Sequence, residues 1–281
     1  MIQTPPRFAT LGDNCIDRYL PLVQAAVGGN AVNVAVQLAL AGEICSYFGA
    51  IGRDEAGRWT RDALIGNGVA VDHLQELDAP TAYTDIDVDA AGERIIAFED
   101  FGATALYHPT PQDISALSGM DHIHVGWFKG ASALRTALAG RGVSFSQDVA
   151  VNSDATGLDV GFESVGPSEP LARAALQRLL AMGCRVAVVT CGAMGSMASD
   201  GGDVVTTGAS TLPLVVDTTG AGDTFIAGFL SAWKRGQPQP GCLAAGRDAA
   251  AKTCGHVGGL PQILRLQWPV GVSTLTDVRQ H

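Results

Sequence analysis

Short apolar runs alternate with longer segments of helical periodicity along most of the chain. The apolar run over residues 8–11 predicts a buried first strand, and the almost wholly apolar segment 31–41, which stops at Gly42, predicts a core helix. Further strands are predicted at 44–51, 122–125, 143–145, 160–163 and 186–190, and further helices at 55–65, 131–138 and 171–182. Because strands and helices alternate, the pattern favours a parallel sheet with helices on both faces.

Three segments depart from this alternation. Residues 83–98 alternate with a period of two around a turn at 90–93, which predicts an antiparallel hairpin outside the main sheet. A local hairpin is predicted where 196–199 and 204–206 flank Asp-Gly-Gly. The apolar residues 214–216 predict a buried strand that leads directly into a run of small residues.

That run is Asp217-Thr218-Thr219-Gly220-Ala221-Gly222-Asp223, and a helix is predicted to begin at about Gly222. A strand, a tight turn and a helix start would gather several backbone N–H groups at the positive end of a helix dipole, where phosphate oxygens bind. Gly220, Ala221 and Gly222 lack bulk, so a triphosphate can approach the main chain. The sequence therefore predicts an anion-binding turn.

Asp223 is the unexpected residue in that turn, because a carboxylate beside a bound phosphate is repulsive. Accepting a proton from an attacking hydroxyl group would explain it, and a carboxylate is an adequate base for phosphoryl transfer. The alternative is that Asp223 only caps the first turn of its helix, and the motif alone leaves both interpretations open. The chain has no G-x-x-x-x-G-K-[ST] loop, so the more familiar ATP-binding signature does not apply.

Composition excludes several other classes of protein. The chain has 281 residues, 47% of them hydrophobic, and a formal net charge of −10 without a basic cluster, which argues against a nucleic-acid partner. No apolar run of about 18 residues predicts a membrane span, and the N-terminus does not resemble a secretory signal. Six cysteines without a C-x-x-C pair predict reduced thiols and a cytoplasmic protein. The histidines show no metal-binding spacing, and no chemistry is assigned to them.

Three ordered motifs together resemble the ribokinase-like, or PfkB, family of carbohydrate kinases. They are Gly-Gly-Asn-Ala-Val-Asn-Val-Ala at 28–35, Val-Thr-Cys-Gly-Ala-Met-Gly at 189–195, and Asp-Thr-Thr-Gly-Ala-Gly-Asp-Thr-Phe at 217–225. The resemblance runs nearly end to end. It implies a three-layer, Rossmann-like α/β fold with a parallel-rich central sheet and a small β lid. We therefore expect a single domain over 1–281, with a discontinuous lid from about 13–27 and 81–101.

The resemblance also implies roles for individual residues. It makes the protein an ATP-dependent sugar kinase in which Asp223 is the catalytic base and Gly220, Ala221 and Gly222 form the anion hole. The nucleotide would lie by Thr190, Gly192, Gly195 and Thr219, together with Gly220 and Gly222. The substrate would contact Asp13, Asp17, Gly29, Asn30 and Asn33. Arg94 either reaches the substrate from the lid or only solubilises its hairpin. Trp127 and Phe128 are either walls of the substrate pocket or core residues.

Within the family, the chain is most similar to the fructoselysine 6-kinase branch. The similarity lies in Gly-Asp-Asn-Cys-Ile-Asp at 12–17, in Gly-Gly-Asn where ribokinases have Gly-Gly-Lys, and in Ala-Ala-Lys-Thr at 250–253. Asn30 suits a substrate with its own amine, but it is equally a helix N-cap, and we favour the cap. Ribokinase, fructokinase and 2-keto-3-deoxygluconate kinase remain alternative activities. Alternatives of other classes are a non-catalytic sugar- or nucleotide-binding regulator and a structural subunit whose hairpins pair at their edges.

The metal sites are where the chain departs from the family pattern. Many members carry an Asn-x-x-Glu segment linked to magnesium and phosphate, whereas residues 163–169 contain no asparagine. Glu169 either keeps an indirect link to Mg²⁺ or merely opens the next helix. Asp217 and Thr219 match positions near a monovalent-cation site, or form an exposed loop pair, so K⁺ dependence stays open. We expect Mg²⁺ to arrive with ATP, and the hairpin over 83–98 to serve substrate closure and a homodimer.

Overall fold

The computed structural model describes residues 5–88, 94–211 and 214–266, in which nine strands form one large sheet. Their order from edge to edge is β13 (Val205–Thr207), β12 (Ser196–Ser199), β11 (Val186–Thr190), β10 (Val160–Ser164), β9 (Ser144–Asp148), β8 (His122–Val125), β1 (Arg7–Leu11), β4 (Ile44–Gly52) and β5 (Ala70–Leu77). The strands from β11 to β5 are parallel, and β12 and β13 add an antiparallel edge. The predicted parallel-rich sheet is confirmed.

Helices cover both faces of the large sheet. One face carries α1 (Asn30–Leu40), α2 (Glu55–Gly66), α6 (Ala221–Lys234) and α7 (Gln239–Thr253). The other carries α3 (Pro111–Leu117), α4 (Ala131–Leu138) and α5 (Glu169–Ala181). Two separate apolar clusters fill the spaces between the sheet and these helices, which gives the predicted three layers. None of these helices is long and apolar enough to cross a membrane.

A second, smaller sheet lies beside the first. Its strand order is β14 (Arg265–Leu266), β3 (Gln24–Gly28), β2 (Cys15–Tyr19), β6 (Tyr83–Val88) and β7 (Arg94–Asp100), and it is called the small sheet below. β6 and β7 pair in antiparallel fashion, so the predicted hairpin outside the main sheet is confirmed, while its turn lies outside the described residues. β14 was not predicted, because two residues leave almost no periodic signal.

The predicted strand at 214–216 is wrong. Leu214, Val215 and Val216 form no strand and are 70%, 52% and 48% exposed. The Val216 N–H donates to the carbonyl oxygen of Cys254, which follows α7, so this apolar run is held by a loop and not by a sheet. The hydrophobicity of this run suggested burial, but an apolar sequence does not by itself show that other parts of the protein cover it. α6 begins at Ala221, one residue before the predicted start.

The segment after α7 connects the two sheets. The Gln262 side chain exchanges two hydrogen bonds with the backbone of Val27 in β3, at 2.6 and 2.8 Å. The Gln37 amide of α1 donates to the Gly259 carbonyl at 2.9 Å, and Asp217 accepts from the Gly258 N–H at 2.9 Å. Because β14 then pairs with β3, the chain from 254 to 266 reaches from the start of α6 to the small sheet. We call it the tether.

Candidate active site

Asp223 lies in the first turn of α6 with its carboxylate facing α1. Its Oδ1 accepts a hydrogen bond from Asn30 Nδ2 and its Oδ2 accepts one from Asn33 Nδ2, both at 2.7 Å. Burial raises the pKa of Asp223 to about 7, although both amide donors act to lower it, and the negative charges of Asp148 and Asp13 raise it further. The site therefore holds a carboxylate that changes charge near neutral pH.

Two cap interpretations are wrong. No side chain caps α6, and the Asp223 carboxylate binds the two asparagines of α1, so Asp223 does not serve as a cap. The N-cap of α1 is Gly29, and the Asn30 side chain lies between Asp223 and His124. Propensity favoured the cap for Asn30 because asparagine is common there, whereas the tertiary contacts engage its amide elsewhere.

The turn before α6 requires glycine at position 220. Gly220 is left-handed, with φ of 73°, and a Cβ there would overlap Gly259 Cα of the tether. The Ala221 N–H donates to the Thr218 carbonyl at 3.1 Å, so Gly222 and Asp223 supply the first-turn N–H groups that have no partner within the helix, and no bulky side chain stands at positions 220–222. A turn of this kind followed by a helix start suits an anion hole beside the Asp223 carboxylate, and phosphate binding here stays a prediction.

Asp13 fixes the start of α1 on the opposite side of the site. Its carboxylate accepts hydrogen bonds from the backbone N–H groups of Asn30 at 2.6 Å and Trp127 at 2.8 Å. Burial raises the pKa of Asp13, while these backbone donors lower it. Gly29 has φ of 104°, and a Cβ there would come within 2.7 Å of Asn14 Cα, so only glycine lets the loop holding Asp13 approach α1 this closely.

A cavity of about 410 Å³ opens from Asp13 towards the small sheet. Its lining is acidic and aromatic and, among the described residues, contains no lysine or arginine; it includes Asp13, Cys15, Tyr83, Ile96, Glu99, Asp100, Phe101 and Trp127. The rings of Phe101 and Trp127 stack with centroids 4.2 Å apart. Trp127 therefore belongs to the pocket wall, whereas Phe128 is 6% exposed and packs in the core.

The other predicted substrate residues are arranged less uniformly. Asn33 contributes its amide to Asp223. Asp17 is buried in β2, accepts a hydrogen bond from the thiol of the cavity-lining Cys15 at 3.1 Å, and is not itself part of that lining. Arg94 is the first residue of β7, and its side chain lies outside the described residues. A substrate contact by Asp17 or Arg94 stays a prediction.

Three of the predicted nucleotide residues lie together around the turn between β11 and β12. Thr190 ends β11, and Gly192 and Gly195 bound the turn before β12. Asp217 is 3% exposed, and its carboxylate accepts from the N–H groups of Thr219 at 2.7 Å and Gly258 at 2.9 Å. The interpretation of Asp217 as an exposed loop residue is thus wrong. Its part in a monovalent-cation site stays a prediction.

Glu169 is half-exposed at the start of α5 and pairs with Arg173 at 2.8 Å. Its link to Mg²⁺ also stays a prediction. Among the residues the structure describes, no group of three or more His, Cys, Asp or Glu side chains is arranged to hold a metal ion.

Sequence reasoning missed two residues of the site. Asp148 ends β9, acts electrostatically on Asp223, and has a pKa raised by burial and by the charges of Glu163 and Asp13. His124 Nε2 lies 3.0 Å from Asn30 Oδ1. The available signal was positional, because both residues lie at or near the carboxyl ends of parallel strands, where α/β sheets bind ligands.

Comparison with known proteins agrees with this geometry. The model of the pfkB family of carbohydrate kinases matches residues 17–159 and 158–263. Fructoselysine 6-kinase of Escherichia coli (strain K12) is 31% identical over 257 residues, covering 89% of this chain and 98% of the relative. Fructosamine kinase of Bacillus subtilis (strain 168) is 28% identical over 263 residues, covering 90% and 92%. Ribokinase of Arabidopsis thaliana, solved with ribose and ATP, superposes with a TM-score of 0.82 at 20% identity, covering 92% and 96%.

Proposed function

Because this chain belongs to the pfkB family of carbohydrate kinases, we propose that it transfers the γ-phosphoryl group of ATP to the 6-hydroxyl of a fructosamine such as fructoselysine. The observation that carries the proposal is that Asn30 links Asp223 to an acidic, aromatic cavity, because its side chain donates to Asp223 and its backbone N–H donates to Asp13 of the cavity lining. The first part suits phosphoryl transfer to a hydroxyl, and the second suits a substrate that carries an amine.

Asp223 is the base in this mechanism. Its carboxylate takes the proton of the attacking hydroxyl as the sugar oxygen forms a bond to the γ-phosphorus and the bond from phosphorus to the β,γ-bridging oxygen breaks, which releases ADP. Phosphoryl transfer has a loose transition state, so orienting the hydroxyl is the larger part of this role. The amides of Asn30 and Asn33 support it by fixing both carboxylate oxygens.

The start of α6 stabilises the negative charge that develops on the phosphoryl oxygens. Its N–H groups and helix dipole would act on those oxygens, and we expect Thr190, Gly192, Gly195 and Thr219 to contact the nucleotide. Mg²⁺ comes with ATP and neutralises phosphate charge when bound, held chiefly by phosphate oxygens and water. A carboxylate is the ligand type that Mg²⁺ prefers, and Asp148, at the carboxyl end of β9, is the residue we expect to face it. Glu169 would act only indirectly, and Asp217 with Thr219 would border any K⁺ ion.

The cavity supports the choice of a fructosamine. A fructosamine carries an amine, which is cationic near neutral pH, and the cavity offers Glu99, Asp100 and the stacked rings of Phe101 and Trp127. Carboxylates and aromatic faces both attract a cation. A neutral sugar would gain hydrogen bonds but no charge attraction from these carboxylates, and an anionic one would be repelled. The similarity to the two fructosamine-type kinases supports the same choice.

The small sheet would close over the sugar and exclude water. We also propose that it contacts a second copy of the chain, because β7 is an edge strand on which Ile95, Ile96 and Phe98 are 45%, 64% and 52% exposed. A monomeric mass in light scattering with and without sugar would exclude that dimer. All six cysteines are free thiols, which supports a reducing, cytoplasmic location.

The proposal is tested by ADP release from MgATP with fructoselysine, other fructosamines, fructose, ribose and 2-keto-3-deoxygluconate. We expect turnover with the fructosamines and a kcat lower by about 10²–10⁴-fold in Asp223→Asn. Asp248→Asn, the same exchange at an exposed position of α7, is the matched control and should behave as the unaltered protein. Turnover of only a neutral or anionic sugar would overturn the substrate choice. ATP binding without turnover of any sugar would favour a regulator.

A further inference from the structure

A continuous chain of hydrogen bonds runs from Asp223 into the large sheet. Asn30 donates to Asp223, and its Oδ1 lies 3.0 Å from His124 Nε2. His124 Nδ1 lies 2.9 Å from Ser146 Oγ, which is 2.8 Å from His122 Nε2. Both histidines and Ser146 are fully buried. The contacts follow from register, because His122 and His124 of β8 lie beside Ser144 and Ser146 of β9.

Only one order of donors and acceptors satisfies this chain when Asp223 is ionised. A carboxylate only accepts, so Asn30 must present its NH₂ group to Asp223 and its oxygen to His124. His124 must then donate from Nε2. Burial lowers the pKa of His124 to about 3, so the ring is neutral, and its Nδ1 must accept from the Ser146 hydroxyl.

The hydrogen bonds beyond Ser146 keep the same donor-to-acceptor direction. Ser146, which donates to His124, accepts from His122 Nε2, and burial keeps His122 neutral by lowering its pKa. Ser144 Oγ lies 2.8 Å from His122 Nδ1 and must donate to it in this order, so the Asp121 carbonyl, 2.9 Å from the same hydroxyl, accepts from Lys234 Nζ at 2.8 Å instead. The partly exposed Lys234 ammonium also donates to Ser144 Oγ at 3.2 Å. The chain thus has a carboxylate at one end and a cation at the other.

From this geometry we propose that His124 is a positioning residue that fixes the Asn30 amide in the orientation needed to hold the Asp223 carboxylate ionised. The proposal rests on the proposed function, since it gives a role to a neighbour of the base. Without the His124 donor, Asn30 could turn its oxygen towards Asp223 and would then repel the carboxylate. Asp223 would lose a donor that lowers its pKa, and less of the base would be ionised at low pH.

The other groups that act on Asp223 do not depend on His124. Asp13, from the loop after β1, and Asp148, at the end of β9, are the charged groups that raise its pKa, and Asn33 donates to its second oxygen. All three remain in the variants below. A change in the titration of Asp223 therefore reports the Asn30 contact.

The test compares the pH dependence of kcat in His124→Leu, which lacks the donor, and in His124→Gln, which keeps an N–H near the position of Nε2. Loss of a hydrogen bond to a charged group should raise the apparent acidic pKa of kcat by about one unit. We expect His124→Leu to be slower than the unaltered protein by about tenfold at pH 6 and by less than about twofold at pH 9. His124→Gln should recover most of the activity at pH 6.

His108→Leu is the matched control, because His108 is exposed and lies just after the 3₁₀ helix Gly102–Leu106. It should follow the pH profile of the unaltered protein. An equal loss at pH 6 and pH 9 in His124→Leu would mean that His124 is only structural. No loss at either pH, or His124→Gln no better than His124→Leu, would overturn the proposal as well.

A second readout needs no turnover and so separates failure of this proposal from failure of the proposed function. The Tm difference between a protein and its Asp223→Asn derivative, followed from pH 5 to 9, reports the pKa of Asp223. The transition in this difference should lie about one unit higher in the His124→Leu background than with His124 present. Equal midpoints in the two backgrounds would overturn the role of His124, whatever sugar the protein uses.

Discussion

The two walls of the active site differ in how their side chains are held. On the large-sheet side, Asp223 and Asp13 each accept at least two hydrogen bonds from α1 or the neighbouring loop. On the small-sheet side, Glu99 is exposed on the edge strand β7, and Asp100 accepts one local hydrogen bond from the Gly102 N–H at 2.9 Å. The side chains on the large-sheet side are therefore held by several neighbours, whereas those on the small-sheet side can be substituted without disturbing the core.

This difference suggests that the large-sheet side carries the phosphoryl transfer and the small-sheet side carries the recognition of the substrate. Phosphoryl transfer requires the same base and the same anion hole whichever sugar is bound, so those groups belong on rigid elements. Recognition of a particular substituent can be carried by a strand whose side chains pack on little else. Substitutions on the large-sheet side should therefore reduce kcat, and substitutions on the small-sheet side should change KM.

Among the substitutions that test this division between the two walls, the largest effect is expected at Gly220. Gly220→Ala adds a Cβ that overlaps Gly259 Cα, so the first turn of α6 must shift and the anion hole loses its alignment. Because loss of one such donor costs about 10²–10³-fold, we expect kcat to fall by about 100-fold.

Gly236→Ala is the matched control for this prediction. Gly236 has φ of 75°, close to the 73° of Gly220, but no atom lies within 4 Å of its added Cβ. It should therefore lower Tm through backbone strain alone and leave kcat unchanged. Equal kinetics in the two variants would show that the rigid wall tolerates change and would break the comparison.

A smaller effect is expected in the cavity. The double variant Glu99→Gln with Asp100→Asn removes two negative charges while keeping shape and the acceptor for Gly102. For a fructosamine we expect KM to rise about tenfold with kcat within about twofold, as loss of attraction for a cation requires. KM for fructose should not change.

Asp62→Asn with Asp72→Asn removes the same net charge from exposed positions on α2 and β5, and serves as the control in the same assay. A fall in kcat without a rise in KM would place the acidic pair in the chemistry and contradict the division between the two walls.

The smallest effect concerns stability. The pKa of Asp223 is raised in the folded protein to about 7, so this group favours folding fully below its unfolded pKa, and the contribution is lost as pH rises through about 7. Asp223→Asn has no such dependence. Its Tm should therefore exceed that of the unaltered protein increasingly from pH 5 to pH 7.5, by about 2–6 °C at the top of the range. Calorimetry that finds a constant difference would mean that Asp223 is already ionised at pH 5.

Much of the fold was predictable from sequence because the strands of a parallel sheet are continuous apolar runs and the helices between them have clear ends. β1, α1 and β11 follow their predicted ranges to within a residue or two. The run at 214–216 misled because a partly exposed loop can be as apolar as a buried strand.

The site was predictable only where a motif was local. Gly220 to Asp223 stand together in the sequence, so their chemistry could be inferred from them. The contacts of Asn30 with Asp223 and of His124 with Ser146 join residues 193 and 22 positions apart, and they depend on how strands and helices pack. No periodic pattern encodes such a pairing, although two histidines and two serines at a spacing of two would lie side by side if β8 and β9 were known to be neighbours.

The tether contacts both the turn that we propose binds ATP and the small sheet that we propose covers the sugar. Gly259 packs against Gly220 beneath the expected phosphates, and three residues later Gln262 is bonded to β3 of the small sheet. If the small sheet moves when a sugar binds, this segment would carry the displacement to the turn that we propose binds ATP. Linkage is reciprocal, so a sugar that tightens ATP binding through this segment must itself be bound more tightly when ATP is present, by the same factor.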